Sequence, residues 1–219
     1  MSVKSYTKGE EIANSTTHGL GIIFGIIAGG ILLELAIESH NSWAVSSVLI
    51  YIISMVLSYT TSTLYHSCSN SERKSVFRKC DHAAIYVHIA GTYTPITLIV
   101  LREDGAWGWS LFIIAWIAAI VGSILSFTKQ KAGSKLETIC YVAMGLVICV
   151  AFKPLVEILS STGSLNVIYF LIAGGVSYIL GAVLYSIKKK YMHSVFHLFV
   201  LGGSVCHVLA IMNIFTSIP

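Results

Sequence analysis

Seven long runs of apolar residues, separated by short polar gaps, dominate this 219-residue sequence. Six of them reach about 20 residues or more, the length at which an α-helix crosses a hydrocarbon core of about 30 Å. The fifth run is shorter and carries Glu137 near its start. Only 11% of the residues are charged, against about 25% in soluble domains, which excludes a water-soluble enzyme and a disordered chain. The runs cover residues 18–37, 43–65, 82–101, 106–127, 136–152, 165–187 and 191–214.

These runs predict an all-α membrane protein, a single bundle of seven transmembrane helices that takes up residues 1–219. The distribution of positive charge predicts its orientation. Only Arg102 and Lys153 fall on one face of the membrane, whereas the other twelve Lys and Arg residues all fall on the opposite face. By the positive-inside rule the amino terminus is cytoplasmic and the carboxy terminus is external. The twelve are Lys4, Lys8, Arg73, Lys74, Arg78, Lys79, Lys129, Lys131, Lys135, Lys188, Lys189 and Lys190.

Packing signals within the runs are those of a helix bundle. Gly21, Gly25 and Gly29 recur every four residues along the first run, a pattern of small residues that lets a neighbouring helix approach closely. Pro95 lies inside the third run, where we expect it to kink the helix.

Polar residues cluster at one end of the predicted bundle. His66 ends the second run, Asp81 directly precedes the third, and His193 and His197 open the seventh. With the orientation above, all of them lie at the cytoplasmic end. Ionisable residues are costly inside a membrane, so their convergence indicates a functional site.

The spacing of these residues favours a metal site. His193 and His197 are four residues apart and share one helical face, as do Ser62 and His66. Three histidines from two helices suit Zn²⁺ with its fourth position open to water, which is the ligand count of a catalytic site. Asp81 is placed to hold or deprotonate that water as a general base.

The start of the first helix adds a further polar face. Glu11, Asn14 and His18 follow one another at helical spacing, and we expect them to cap the same polar pocket.

The other histidines of the interior are interpreted as structural. We expect His82 to point away from Asp81 and to bond a neighbouring helix, and His88 to be a hydrogen-bonded histidine of the bundle rather than a deeper wall of the pocket. His207 lies ten residues beyond His197, about 15 Å along the helix, too far to bind the same ion.

Five motifs in this order resemble the haemolysin III family, the bacterial branch of the progestin and adipoQ receptor superfamily, which is similar to the alkaline ceramidases. The resemblance extends over nearly the whole chain. It implies that His66, His193 and His197 hold zinc, that Asp81 contacts the metal through water with Ser62 nearby, and that the protein spans the bacterial plasma membrane. The motifs are Glu11-x-x-Asn14-x-x-x-His18, Ser62-x-x-Tyr65-His66, Asp81-His82, Ala90-Gly91-Thr92-Tyr93-Thr94-Pro95 and His193-x-x-x-His197.

Three functions remain open from the sequence. The first is a zinc-dependent hydrolase of a lipid amide or ester, the second a cytolytic pore as the family label implies, and the third a receptor or sensor with structural zinc. A pore through one chain needs polar residues along its full depth, whereas here they cluster at one end. We expect a membrane lipid as substrate or ligand and no nucleic acid, and the sequence leaves oligomerisation open.

Overall fold

The computed structural model describes residues 6–128 and 135–217, and within these ranges every regular element is a helix. Seven segments are long and apolar enough to cross a membrane, which confirms the predicted seven-span helical architecture. The α-helices are α1 (Lys8–Glu38), α2 (Ser42–Ser67), α3 (Ser71–Pro95), α4 (Trp107–Thr128), α5 (Lys135–Leu146), α6 (Phe152–Ser161), α7 (Leu165–Tyr185) and α8 (Met192–Ser217). The fifth span, Leu136–Ser161, consists of α5, a short 3₁₀ segment at Val147–Ala151, and α6, so that α7 and α8 are the sixth and seventh spans. Of the twelve positive residues above, Lys4, Lys129 and Lys131 lie outside the described residues.

Two helices begin well before the apolar runs that predicted them. Thr7 caps α1 in a reciprocal capping box with Glu10, so that the polar turns before residue 18 are already helical. Asn70 caps α3 by accepting a hydrogen bond from the backbone N–H of Arg73. Hydropathy marks only the part of a helix that lies in the hydrocarbon, whereas the caps determine where the helix starts.

The fifth span continues past the predicted end at residue 152. Leu155 and Leu159, four residues apart, are buried, while Lys153 and Glu157 lie on the exposed side of α6 with 3.9 Å between Nζ and Oε1. Lys153 was expected in a loop and instead lies in the first turn of α6. An amphipathic turn lowers mean hydropathy without ending the helix.

Helix packing brings distant parts of the chain together. α1 packs against α2 and α8, α2 against α3, α3 against α4, and α7 against α8. The glycine prediction is confirmed, because Gly21, Gly25 and Gly29 all face side chains of α2. Pro95 ends α3 and is followed by a π-helical turn at Ile96–Val100, so the helix is distorted where the proline predicted it. The start of α1, the end of α2 and the start of α8 therefore meet at one end of the bundle, here called the histidine end because it contains His66, His193 and His197.

The opposite end is filled by apolar side chains from five of the seven spans. They come from the π turn after α3, the start of α4, the 3₁₀ segment and α6, the start of α7 and the end of α8. We call this group the outer apolar cluster. Its members are Ile96, Val100, Leu101, Leu111, Ala151, Leu155, Leu159, Val167, Ile168, Ala210 and Ile214.

Candidate metal centre

Three histidines converge at the histidine end. His66 is in the last turn of α2, and His193 and His197 are in the first two turns of α8. One ring nitrogen from each lies within 4.8 Å of the others, and the Nε2 atoms of His66 and His193 are 3.1 Å apart. His66 and His197 are almost completely buried. The structure thus brings together the three residues that the sequence predicted as metal ligands.

The geometry of the three rings fits a tetrahedral ion. Zn–N bonds of about 2.0–2.1 Å place two tetrahedral nitrogen ligands about 3.3 Å apart. The observed nitrogen separations, from 3.1 Å between two of the rings up to at most 4.8 Å, include this value. Imidazole donors suit zinc and several other transition metals. The cluster can therefore hold a metal ion, and the donor set is compatible with zinc.

Glu11 on α1 determines which nitrogen of His66 is available to a metal. His66 Nδ1 lies 2.6 Å from Glu11 Oε2, and the second carboxylate oxygen accepts from Lys74 Nζ at 2.7 Å. A proton on Nδ1 that is donated to the carboxylate leaves Nε2 as the lone-pair donor, on the side of His193. Glu11 was predicted to cap the pocket, and the structure places it behind a metal ligand.

Asn14 plays the same part for His197. Its backbone oxygen accepts a hydrogen bond from His197 Nδ1 at 3.1 Å. The Nε2 atom of His197 therefore carries the lone pair that a metal ion can bind. Its side-chain oxygen accepts from Ser194 Oγ at 2.6 Å, which ties α1 to the first turns of α8. Asn14 is fully buried. The polar face of α1 therefore orients two of the three rings.

His18, the third predicted residue of that face, packs on the cluster. Its ring stacks on that of His197 with 3.5 Å between centroids and meets the Tyr59 ring edge-on at 5.1 Å. It lies beside a predicted ligand rather than among the three nitrogens that approach one another.

Asp81 and Ser62 lie on the wall of a cavity that two of the three clustered histidines, His193 and His197, also line. Both are buried, Asp81 at the start of the apolar part of α3 and Ser62 one turn before His66. The cavity has a volume of about 220 Å³, and His193 and His197 are part of its wall. The structure therefore gives the predicted base and its serine access to the same space as the histidines.

Glu137 is a candidate functional residue to which the sequence analysis assigned no role beyond its position in the fifth apolar run. It is 2% exposed, and its Oε2 lies 2.7 Å from His82 Nδ1 across the α3–α5 contact. This confirms that His82 bonds a neighbouring helix. Both residues line the cavity. A lone acid in an apolar run was the signal, since such a residue needs a buried partner.

Tyr6 was missed altogether. Its ring stacks on His193 with centroids 5.1 Å apart and meets His66 at 5.7 Å. Burial raises the pKa of the Tyr6 hydroxyl well above its usual range, so it stays neutral. It precedes the first apolar run, where neither hydropathy nor a motif points to it.

Two further histidines lie deeper in the cavity. His207 lines it but is separate from the three clustered nitrogens, as its spacing predicted. His88 was expected to be hydrogen-bonded within the bundle and to stay off the cavity. This was wrong, because His88 lines the cavity, and its Nε2 has no hydrogen-bond partner among the described residues.

Two bacillus proteins that are similar to this chain carry the name haemolysin. The chain is 44% identical over 196 residues to Hemolysin-3 of Bacillus cereus, covering 89% of this chain and 87% of that protein. It is 37% identical over 215 residues to the Hemolysin-3 homolog of Bacillus subtilis, covering 98% of each. A more distant human relative, the monocyte to macrophage differentiation factor, is 28% identical over 92% of this chain and 83% of its own length.

Family membership and the seven spans together place the chain in the cell as a multi-pass protein of the bacterial plasma membrane. The family model described as Haemolysin-III related matches residues 6–208, nearly the whole sequence. The chain belongs to the Haemolysin-III related family.

Proposed function

We propose that the chain is a zinc-dependent hydrolase that cleaves an amide or ester bond of a membrane lipid. The observation that carries this proposal is the set of three clustered histidines, two of which, His193 and His197, line a cavity together with a buried carboxylate, Asp81. Most of the wall of that cavity is apolar, which suits a lipid tail.

Each residue then has a chemical task. His66, His193 and His197 would hold the zinc, which would supply a Lewis acid to polarise the scissile carbonyl. Asp81 accepts a proton from the attacking water and returns it to the leaving amine or alcohol as the carbonyl–nitrogen or carbonyl–oxygen bond breaks. Ser62, on the same wall, orients the water or the carbonyl by a hydrogen bond.

The charge distribution supports a cytoplasmic position for this chemistry. Lys8, Lys74 and Arg78 belong to the histidine end, and Arg102 to the opposite end. We therefore propose that the amino terminus is cytoplasmic and the carboxy terminus external, with the zinc near the inner leaflet.

A pore is the alternative that the names of the bacillus relatives suggest. The outer apolar cluster argues against a channel through one chain, because it fills the end of the bundle opposite the histidines and offers water no polar wall. A receptor with structural zinc is the other alternative, and it differs from the hydrolase only in the absence of turnover.

The first test is metal content, measured by mass spectrometry on the protein purified in detergent. We expect about one zinc per chain, because three imidazoles from two helices converge on one point. His66→Ala and His193→Ala should each lose it, whereas His40→Ala, which alters an exposed histidine at the other end of the bundle, should keep it. A folded wild-type protein without zinc would contradict the proposal.

The second test separates hydrolysis from structural zinc. We expect the wild-type protein to release free fatty acid from ceramide or another N-acyl lipid, detected by mass spectrometry. Asp81→Asn should retain zinc and lose about 10²- to 10⁴-fold in rate, the usual contribution of a general base. If no lipid in a broad panel is cleaved in a zinc-dependent way, the receptor alternative replaces the hydrolase.

The pore alternative is tested with dye-loaded liposomes. We expect the reconstituted wild-type protein to release no dye. Release that is equal for the wild type and for His193→Ala would make lysis a property independent of the metal centre.

A further inference from the structure

The inner part of the cavity contains two histidine nitrogens that have no hydrogen-bond partner among the described residues. His88 on α3 is 6% exposed, it lines the cavity, and its Nε2 has no hydrogen-bond partner among the described residues. His207 on α8 lines the same cavity and likewise has an unpartnered Nδ1, while its Nε2 lies 3.4 Å from the carbonyl oxygen of Leu171. Buried polar atoms are rarely left unpaired, so these two nitrogens require a polar partner that the described part of the chain does not supply.

The two histidines belong to one group of side chains, which we call the inner polar cluster: His88, His207, Tyr59, Tyr178 and Ser204. The His88 ring meets the Tyr59 ring at 6.1 Å, and the His207 ring meets the Tyr178 ring edge-on at 5.3 Å. Both tyrosine hydroxyls reach Ser204 Oγ, at 2.7 and 2.9 Å. The hydroxyls of Tyr59 and Tyr178 are therefore already paired through Ser204. The polar groups left without a partner among the described residues here are the two histidine nitrogens and the hydroxyl of Tyr51, whose ring lies 6.3 Å from that of His88.

The chemistry of the cavity selects the kind of partner. None of the described residues that line it is Lys or Arg, so an anionic group would find no permanent positive charge there. A neutral imidazole has one donor and one acceptor nitrogen, and a hydroxyl group both donates and accepts. His207 Nε2 donates to the carbonyl oxygen of Leu171, so its Nδ1 is an acceptor. One hydroxyl pairs both nitrogens when it donates to His207 Nδ1 and accepts from a protonated Nε2 of His88.

The depth of the cluster locates this hydroxyl along a lipid chain. His88 is seven residues beyond Asp81 on α3, a rise of about 10 Å. His207 is ten residues beyond His197 on α8, a rise of about 15 Å. An acyl chain that enters from the metal centre thus reaches the inner polar cluster well past its carbonyl, in its middle or distal part.

We propose that His88 and His207 form a second polar subsite, which binds a hydroxyl group in the middle of the acyl chain of the lipid. The subsite rests on the proposed function only in that the carbonyl end of the lipid lies at the metal centre. It specifies the substrate class further, as lipids with a hydroxylated acyl chain.

Ricinoleic and oleic acid test the subsite, because they differ only by one hydroxyl in the middle of the chain. Binding of each to the zinc-loaded, purified full-length protein is measured by native mass spectrometry, which needs no turnover. We expect the wild-type protein to bind ricinoleic acid about tenfold more tightly, as one or two additional hydrogen bonds provide. His88→Leu should abolish this preference, and His88→Gln, which keeps a donor and an acceptor, should retain most of it.

Two controls separate the subsite from general effects. Thr92→Val alters another cavity-lining residue of α3, whose hydroxyl is already bonded to the backbone oxygen of His88 at 2.9 Å, and should leave the preference unchanged. α-Hydroxyoleic acid, with its hydroxyl beside the carboxyl group, should bind wild type and His88→Leu equally well.

The outcomes also separate this subsite from the hydrolase. A wild-type protein that binds both fatty acids equally would overturn the subsite, with a water molecule then pairing the two nitrogens, even if lipids are cleaved. A preference that depends on His88 in a protein without hydrolytic activity would uphold the subsite and contradict the proposed function.

Discussion

His66 and Glu11 form the contact that most directly links α1 to the metal centre. Replacing Glu11 by Gln keeps the shape of the side chain but removes the charge that holds the Nδ1 proton of His66, 2.6 Å away. We expect zinc affinity to fall about tenfold or more, the usual effect of losing the carboxylate behind a histidine ligand. Competition with a chelator of known affinity measures it. Glu34→Gln, an exposed acid on the same helix, should bind zinc like the wild type.

Single residues also mark the limit of sequence reasoning here. The cluster of His66, His193 and His197 could be predicted, because the sequence shows both the helical spacing of these residues and their position at the same end of the apolar runs. Tyr6 was not, since its contact with His193 depends on how the start of α1 lies across α8. The unpartnered nitrogen of His88 could not be predicted either, because helical spacing does not tell which buried polar group finds a partner from another helix.

The close contact between α1 and α2 depends on the glycines of α1, which have no side chain. A Cβ atom added at Gly21 would lie 2.5 Å from the ring of Tyr59. We expect Gly21→Ala to lower the free energy of unfolding by about 1–3 kcal/mol, the usual cost of overpacking. Gly30→Ala is the matched control on the same helix, because nothing lies within 4 Å of its added Cβ. Thermal unfolding of both variants in detergent measures the difference, and equal melting temperatures would contradict the expectation.

Helix existence and helix ends were predictable to different degrees. Unbroken apolar runs indicated all seven spans, since the hydrocarbon core requires them. The ends of the helices could not be predicted from hydropathy, because the first turns of α3 are charged and α6 is amphipathic. The helical start of α1 matters most for the site, since it places Glu11 and Asn14 on a rigid element beside the ligands.

Polarity differs between the two ends of the whole molecule. Polar side chains, among them the three candidate metal ligands, occupy the histidine end, and the outer apolar cluster fills the other. The cavity that lies between them is lined by residues of α1, α2, α3, α5, α7 and α8. Such a bundle can admit a lipid tail to a polar reaction site without giving water and ions a path across the membrane.

The orientation of the bundle determines which leaflet the candidate metal centre lies near. The sequence predicts twelve of the 14 Lys and Arg residues on the face of the histidine end, so we expect that end in the cytoplasm. Green fluorescent protein fused to the amino terminus should then fluoresce, whereas at the carboxy terminus it should be dark and alkaline phosphatase should be active. The reverse pattern would place the metal centre at the outer leaflet. Because the charge bias lies in short loops near the helix ends, where it has its largest effect, a mixed population is not expected.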